Sequence, residues 1–367
     1  MLSPRTKRNL SRILPFGIIW LLSGWVFLIV EHAAAGGPDG FPSTVIRMDF
    51  KIFMFSSLAL AAVGLLVGMV EIAYLNDRLA RKSFTKKILY KLLFYTLALS
   101  VIILITYPAA ASMDFQTSIF DRRVWDKYFR FLTSVTHLST MVQLGVALGA
   151  SLFYAEISEN IGHGVLLNFF TGKYHQPTEE ERIFMFLDMK SSTTIAEQLG
   201  HIRYFELLRE YYADLSGPVV DYRGEVYQYV GDEIVLSWPC EAGIRDNNCI
   251  RCFFAMREAL RKQSGRYREK FGLAPTFKAG LHYGKVTTGE IGVLKKEIIF
   301  TGDVLNATAR IQGLCNTYDV DLLLSSDLIN SLDFGPEFQA RPLGRSELRG
   351  RKEGVELYTV RAGRDFS

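Results

Sequence analysis

Four apolar stretches in the first 154 residues constrain this chain most: approximately Ile13 to Val30, Ile52 to Leu75, Ile88 to Tyr107 and Phe131 to Tyr154. Each is close to the ~20 residues that cross a bilayer core, so all four are expected to be transmembrane helices. They locate the excess behind a hydrophobic content of 49% and a mean hydropathy of +0.13, high for a soluble protein. Charge divides along the same line. Residues 1–154 carry 16 Lys+Arg against 8 Asp+Glu, and residues 155–367 carry 26 against 30. A uniformly basic nucleic-acid binder is excluded, and no nucleic-acid partner is expected. The apolar content excludes a disordered chain. Cys240, Cys249, Cys252 and Cys315 have no framework spacing, which excludes a disulfide scaffold.

Orientation follows from basic residues beside the stretches. Arg5, Lys7, Arg8 and Arg12 precede the first, and Arg78, Arg81, Lys82, Lys86, Lys87 and Lys91 follow the second with no acidic residue after Asp77. Both segments are expected on the cytoplasmic side. The other two connections mix Arg47 and Lys51 with Glu31, Asp39 and Asp49, and Arg122, Arg123, Lys127 and Arg130 with Asp114, Asp121 and Asp126. An even number of crossings returns the chain after Tyr154 to the cytoplasm, where nucleotides are available and thiols stay reduced. A cleaved signal peptide is the weaker reading of the first stretch, because its apolar run exceeds a usual h-region and a second membrane segment follows. The expectation is an integral multi-pass protein in contact with membrane lipid.

Residues 1–154 thus form the expected membrane domain, 155–181 a connector and 182–367 a cytoplasmic domain. Gly64 with Gly68, and Gly145 with Gly149, have the spacing that lets membrane helices approach closely. Glycine is common in such helices, and a dimer face is the sharper alternative. Glu71 lies near the cytoplasmic end of its stretch and is expected to reach the headgroups. The connector carries an apolar patch, Val165 to Phe170, and reads as an amphipathic helix with a spacer or as a coupling element.

The second half alternates strand and helix signals. Arg182 to Met189 reads as a buried strand ending at Asp188, and a helix follows whose apolar face, Phe205, Leu208 and Tyr212, ends soon after at Gly217-Pro218. Glu225 to Val230 and Glu233 to Trp238 form a hairpin about Gly231-Asp232. Gly243 to Phe271 reads as one long helix, Thr276 to Val286 as a strand and Val304 to Leu314 as a helix. This order is the βαββαβ of a ferredoxin-like sandwich, in which the first strand lies beside the third. Asp188 and Asp232 become neighbours there. Two adjacent carboxylates repel and lose hydration unless a cation lies between them. Mg²⁺ commonly takes one or two carboxylates plus substrate phosphates, so the pair points to metal-assisted phosphoryl chemistry. The plainer alternative makes Asp232 a turn former and Asp188 a helix cap. Cys249 and Cys252 form a CxxC without a second pair and read as helix core rather than zinc ligands.

Four blocks now carry a resemblance: FLDMKSST at Phe186 to Thr193, YQYVGDEIV at Tyr227 to Val235, AGLHYGKVTTGEIG at Ala279 to Gly292 and TGDVLNATARI at Thr301 to Ile311. In this order and spacing, from about Arg182 to Val360, the chain resembles the class III nucleotidyl cyclases. The resemblance implies conversion of a nucleoside triphosphate to a 3′,5′-cyclic monophosphate and pyrophosphate, for intracellular signalling. It implies two divalent ions, Mg²⁺ or Mn²⁺, at Asp188, Met189 and Asp232. Asn306 and Arg310 match the family's pair that orients the ribose and neutralises the triphosphate, and their i, i+4 spacing puts both on one helix face. Phosphate contact is also expected from Arg349, Arg351 or Lys352. His282 is expected to be structural. Diguanylate cyclases share the core, but Val230 stands where their signature has its first Gly.

The family's site forms between two protomers, one supplying the carboxylates and the other the Asn/Arg pair. This chain carries both sets, so a homodimer is expected. Base recognition falls on Gln228, where ATP users usually place Lys, and on Ile299, where Asp or Thr is common. Gln can read either purine edge and Ile can hydrogen-bond to neither. ATP is expected on the bacterial-type, four-span architecture, with a guanylate cyclase or a catalytically silent receptor as alternatives. Ser191-Ser192 also departs from the family's Gly-Phe. The expected fold class is a four-span α-helical membrane domain joined to an α/β, ferredoxin-like cyclase core.

Overall fold

A computed structural model of the chain describes residues 3–35, 42–75, 78, 84–162, 166, 168–169, 171–347 and 354–363. Two compact units divide it, one covering Thr6–Leu167 and the other containing Asn168–Ser367.

In the first unit, among the described residues, four helices are long and apolar enough to cross a membrane. They are α1 (Pro4–Ala35), α2 (Phe50–Val70, prolonged by a π turn over Glu71–Leu75), α3 (Phe84–Asp114) and α5 (Val135–Ile161). The fourth span begins at Val135 rather than Phe131. Phe131 belongs to a separate short helix, α4 (Arg122–Leu132), and the break is made by Ser134, whose hydroxyl caps α5 by accepting from the His137 backbone nitrogen. Phe16 and Trp20 of α1, Val67 of α2, Tyr95 and Leu99 of α3, and Ala147 and Leu148 of α5 make the core of this bundle.

Gly64 and Gly68 are spoken for within the chain. A Cβ on Gly64 would meet the Phe16 carbonyl at 2.7 Å, and one on Gly68 would meet the Phe16 ring at 2.9 Å. Gly145 and Gly149 have nothing within 4 Å of that position. Glu71 departs from expectation. It does not reach outward: it is 2% exposed, paired with Lys91 of α3, and accepts a 2.9 Å hydrogen bond from the Tyr95 hydroxyl. A carboxylate flanked by both donors is stable inside the bundle, whereas an unpaired one is not.

The second unit is built on one mixed sheet, with strand order β2-β3-β1-β4-β6-β8-β7 and β5 added to β4. The strands are β1 (Thr178–Met189), β2 (Glu225–Val230), β3 (Glu233–Pro239), β4 (Phe277–Ile291), β5 (Glu297–Thr301), β6 (Leu322–Ser325), β7 (Phe338–Ser346) and β8 (Val355–Ala362). β1 runs antiparallel to β3 and β4, and β4 runs parallel to β6. Side chains alternate across β1. Ile183, Met185, Leu187 and Met189 enter the main core with α7 (His201–Asp221), α9 (Asn248–Lys262) and α10 (Ser264–Phe271). Phe184 and Phe186 face the opposite side, toward Val304 and Leu305 of α11 (Asp303–Gly313).

Several boundaries differ from the sequence reading. β1 starts at Thr178 rather than Arg182, because Thr178 to Glu181 already pair with β4. The short helix α6 (Ser192–Leu199) precedes α7, and α7 continues through Pro218 to Asp221, because Val219 is buried in the core. The long helix breaks into α8 (Cys240–Ile244), a 3₁₀ turn at Arg245–Asn247, α9 and α10. Asp246 and Asn247 both adopt left-handed φ there, and the Asn247 side chain donates to the Asp333 carbonyl. β4 extends to Ile291 and turns back as β5. α12 (Ser326–Ile329) follows β6.

Candidate active site

The β1–β3 register places Asp188 opposite Glu233, so the tight turn before Glu233 delivers Asp232 to the end of β1. Gly231 takes φ +63° in that turn, a conformation glycine adopts without penalty. The two carboxyl groups are in contact. Burial, then the hydrogen bond and charge of Asp232, push the Asp188 carboxyl above the usual carboxylate range. Lys278 Nζ, 3.7 Å from Asp188 Oδ2, and Gln312, whose Nε2 donates to the same oxygen at 3.3 Å, act in the opposite sense. Glu233 is also raised, by burial first and then by both aspartates.

These surroundings test whether cations belong here. Among the described residues no cluster of three or more His, Cys, Asp or Glu side chains forms a complete cage. Two carboxylates held together, with that of Asp188 partly buried, suit a hard divalent ion that takes its remaining ligands from water and phosphate. Met189 packs its side chain into the core, which leaves only its carbonyl for such a role. The residues therefore fit the expected metals.

Asn306 and Arg310 lie on α11, with Asn306 exposed and Arg310 half-buried. No hydrogen bond or ion pair joins either to Asp188 or Asp232 among the described residues. The reason is helical. Gln312 faces Asp188, and a residue two positions away points about 200° around the axis. Arg310 is thus turned away from the carboxylates of its own chain. Ala307 and Ile311 are packed on Leu323 and Leu357 in between. Gly280 on β4 lets α11 lie this close, since a Cβ there would come within 2.4 Å of the Gln312 backbone nitrogen.

Gln228 is exposed on β2 and Ile299 is half-buried on β5, and their neighbours Tyr227 and Phe300 touch. Arg349, Arg351 and Lys352 lie outside the described residues. Ser191, where the family has glycine, adopts φ +56° in the turn after β1. His282 is buried and its Nδ1 lies 2.7 Å from Ser325 Oγ, a structural placement as expected.

Sequence reading missed Lys278, Gln312 and Tyr212. Lys278 had a signal, a cation between apolar residues at the start of its strand, and the register sets it opposite Asp188. Tyr212 was read only as part of an apolar helix face.

Residues 174–362 match the sequence profile described as the adenylate and guanylate cyclase catalytic domain. The chain is 36% identical over 226 residues to adenylate cyclase 2 of Rhizobium meliloti, covering 62% of each protein. It is 28% identical over 187 residues to adenylate cyclase 1 of the same organism, covering 49% of this chain and 27% of that one. The chain thus spans less than two thirds of the length of these relatives. A bacterial light-regulated adenylyl cyclase shares the fold, with a TM-score of 0.51 at 21% identity over 62% of this chain and 64% of the other. The profile match covers about half of the chain and takes in the carboxylate pair, so this protein belongs to the adenylate and guanylate cyclase family.

Proposed function

We propose that this protein is a membrane-anchored adenylate cyclase that converts ATP to 3′,5′-cyclic AMP and pyrophosphate as a head-to-tail homodimer. The observation that carries the reading is the placement of Asp188 against Asp232 with Arg310 turned away on α11. One chain offers two half-sites facing different directions, and a second copy brings the complementary halves together.

In this reading Asp188 and Asp232 hold two divalent ions, with the Met189 carbonyl beside them. Bound there, Mg²⁺ or Mn²⁺ supplies Lewis acidity for the 3′-hydroxyl and charge neutralisation for the triphosphate. The 3′-hydroxyl gives up its proton to solvent, its oxygen attacks the α-phosphorus, the bond to the bridging oxygen breaks and pyrophosphate leaves. Asn306 of the other protomer orients the ribose, and Arg310 neutralises charge that grows on the phosphoryl oxygens. Arg349 and Arg351 are the candidates for further phosphate contact. Gln228 and Ile299 meet the base, where the Gln228 amide both donates and accepts. ATP is favoured over GTP because the relatives named above are adenylate cyclases. Basic residues beside the spans put the N-terminus and the catalytic domain in the cytoplasm of a bacterial-type inner membrane.

Product analysis tests this. Full-length protein in nanodiscs receives ATP or GTP separately, with Mg²⁺ and then Mn²⁺. Cyclic AMP is expected. Cyclic GMP alone would make the protein a guanylate cyclase, and no product from a folded dimer would make it a silent receptor.

A further inference from the structure

β2 carries a bulge. Val226 pairs with Leu236 and Gln228 with Val235, which leaves Tyr227 as the extra residue. A bulge bends its strand and re-aims the side chains around it. Here the Tyr227 ring meets the Phe300 ring of β5, with centroids 4.8 Å apart. The Phe300 backbone nitrogen also donates to the Tyr227 hydroxyl at 3.4 Å. These residues immediately precede Gln228 and follow Ile299. β2 and β5 are not paired in the sheet, since β2 lies on β3 and β5 on β4. The contact between Tyr227 and Phe300 is therefore a clasp across a gap.

Arg182 braces it from the middle of the sheet. It is 3% exposed on β1, with its guanidinium carbon 4.6 Å from the Phe300 ring centroid. The same guanidinium pairs with Glu225 at the start of β2 and donates to Ser237 Oγ of β3 at 3.0 Å. It also reaches Glu180 Oε1 at 3.5 Å. Phe184, on the same face of β1, meets Phe300 at 5.4 Å. A buried guanidinium is costly unless all its donors are satisfied, and Arg182 Nε has no hydrogen-bond partner among the described residues. Its location is poorly explained by stability alone.

We infer that Arg182 and Tyr227 are positioning residues that set base selectivity, by holding β2 and β5 so that Gln228 and Ile299 keep the spacing one purine edge requires. Neither residue is assigned a contact with the reacting atoms; Arg182 acts through Glu225 and the Phe300 ring, and Tyr227 through the Phe300 backbone. This rests on the base-recognition role proposed above for Gln228 and Ile299.

The test is steady-state kinetics of the full-length protein in nanodiscs, for wild type, Arg182→Met, Arg182→Lys and Tyr227→Phe. It reads kcat and KM for the purine triphosphate that is turned over, and the inhibition constant of the other. Arg182→Met is expected to shrink the ratio of inhibition constant to KM by about tenfold, with kcat at saturation within about threefold of wild type. Arg182→Lys keeps the charge toward Glu225 but loses the planar stack, so an intermediate shift is expected. Tyr227→Phe, which keeps the ring, should shift the ratio less and in the same direction. These two conservative variants keep the test readable if Arg182→Met does not fold. A fall in kcat with an unchanged ratio across the series would overturn the inference. Gln228→Ala separates the two failures. An unmoved ratio there overturns base reading itself, whereas a ratio moved by Gln228→Ala and by none of the others overturns only the positioning role.

Discussion

The hydroxyl of Tyr212 donates to the Gly231 carbonyl at 2.9 Å and lies 3.3 Å from the Glu233 carbonyl, so one side chain of α7 grips both ends of the turn that carries Asp232. Tyr212→Phe removes the grip and leaves the ring against Tyr229, 4.6 Å away. Stability should fall by about 1 kcal/mol, the usual worth of such a bond. The sharper expectation is a higher Mg²⁺ concentration for half-maximal activity, because Asp232 is less firmly held. An unchanged Mg²⁺ titration would show that the grip does not position the carboxylate.

Ser191 stands in a left-handed turn at φ +56°, directly after the strand that ends in the site. A non-glycine residue pays roughly 1–2 kcal/mol for that conformation, and a β-branched one more. Ser191→Gly is expected to fold at least as stably as wild type, and Ser191→Val to lose about 1–2 kcal/mol. Thermal unfolding of the two variants checks this, and equal melting temperatures would contradict it.

These two turns show what sequence reading could reach. The apolar run ending at Asp188 and the Gly231-Asp232 turn are local signals, and the βαββαβ order brings them together. Gln312 was hidden because its role depends on which side of α11 meets the sheet, a matter of packing on Gly280. The bulge at Tyr227 leaves no mark in a run of strand formers. The helix break at Asp246 and Asn247 is sustained by Asp333, 86 residues from Asn247, which no local window contains. Glu71 was misread for a similar reason, since its partners Lys91 and Tyr95 stand on the next helix.

That buried trio gives a third prediction. Glu71→Ala leaves Lys91 as an uncompensated cation inside the bundle, a loss of about 3–5 kcal/mol. The double substitution Glu71→Met with Lys91→Met removes both charges and should recover most of that loss. Thermal unfolding in detergent distinguishes the outcomes, and a double variant no better than Glu71→Ala would argue against the pair.

The thiols give a fourth. Burial pushes Cys249 and Cys315 up to about 12, raises Cys252 well above its ordinary value, and also raises Cys240, which is partly exposed. Their neutral forms are favoured in the folded state. That contribution is present below the ordinary thiol pKa of about 9 and is lost as pH rises through the folded values. A thiol-reactive probe at pH 7.5 should therefore label Cys240 alone in native protein and all four after denaturation. Native labelling of Cys249 or Cys252 would place the CxxC outside the core.

The central claim is that Asp188 and Asp232 form one half of a cyclase site completed by Arg310 of a second copy. Cyclic AMP production by Asp232→Ala, by Arg310→Ala and by the two variants co-expressed and purified together tests it most directly. Each variant alone should lose activity by at least about a hundredfold, the scale of removing a group that stabilises transition-state charge. The mixed dimers should regain it, because one of their two sites has neither substitution. Mixed dimers as inactive as the parents would contradict a composite site, and full activity in Asp232→Ala would contradict the carboxylate pair itself.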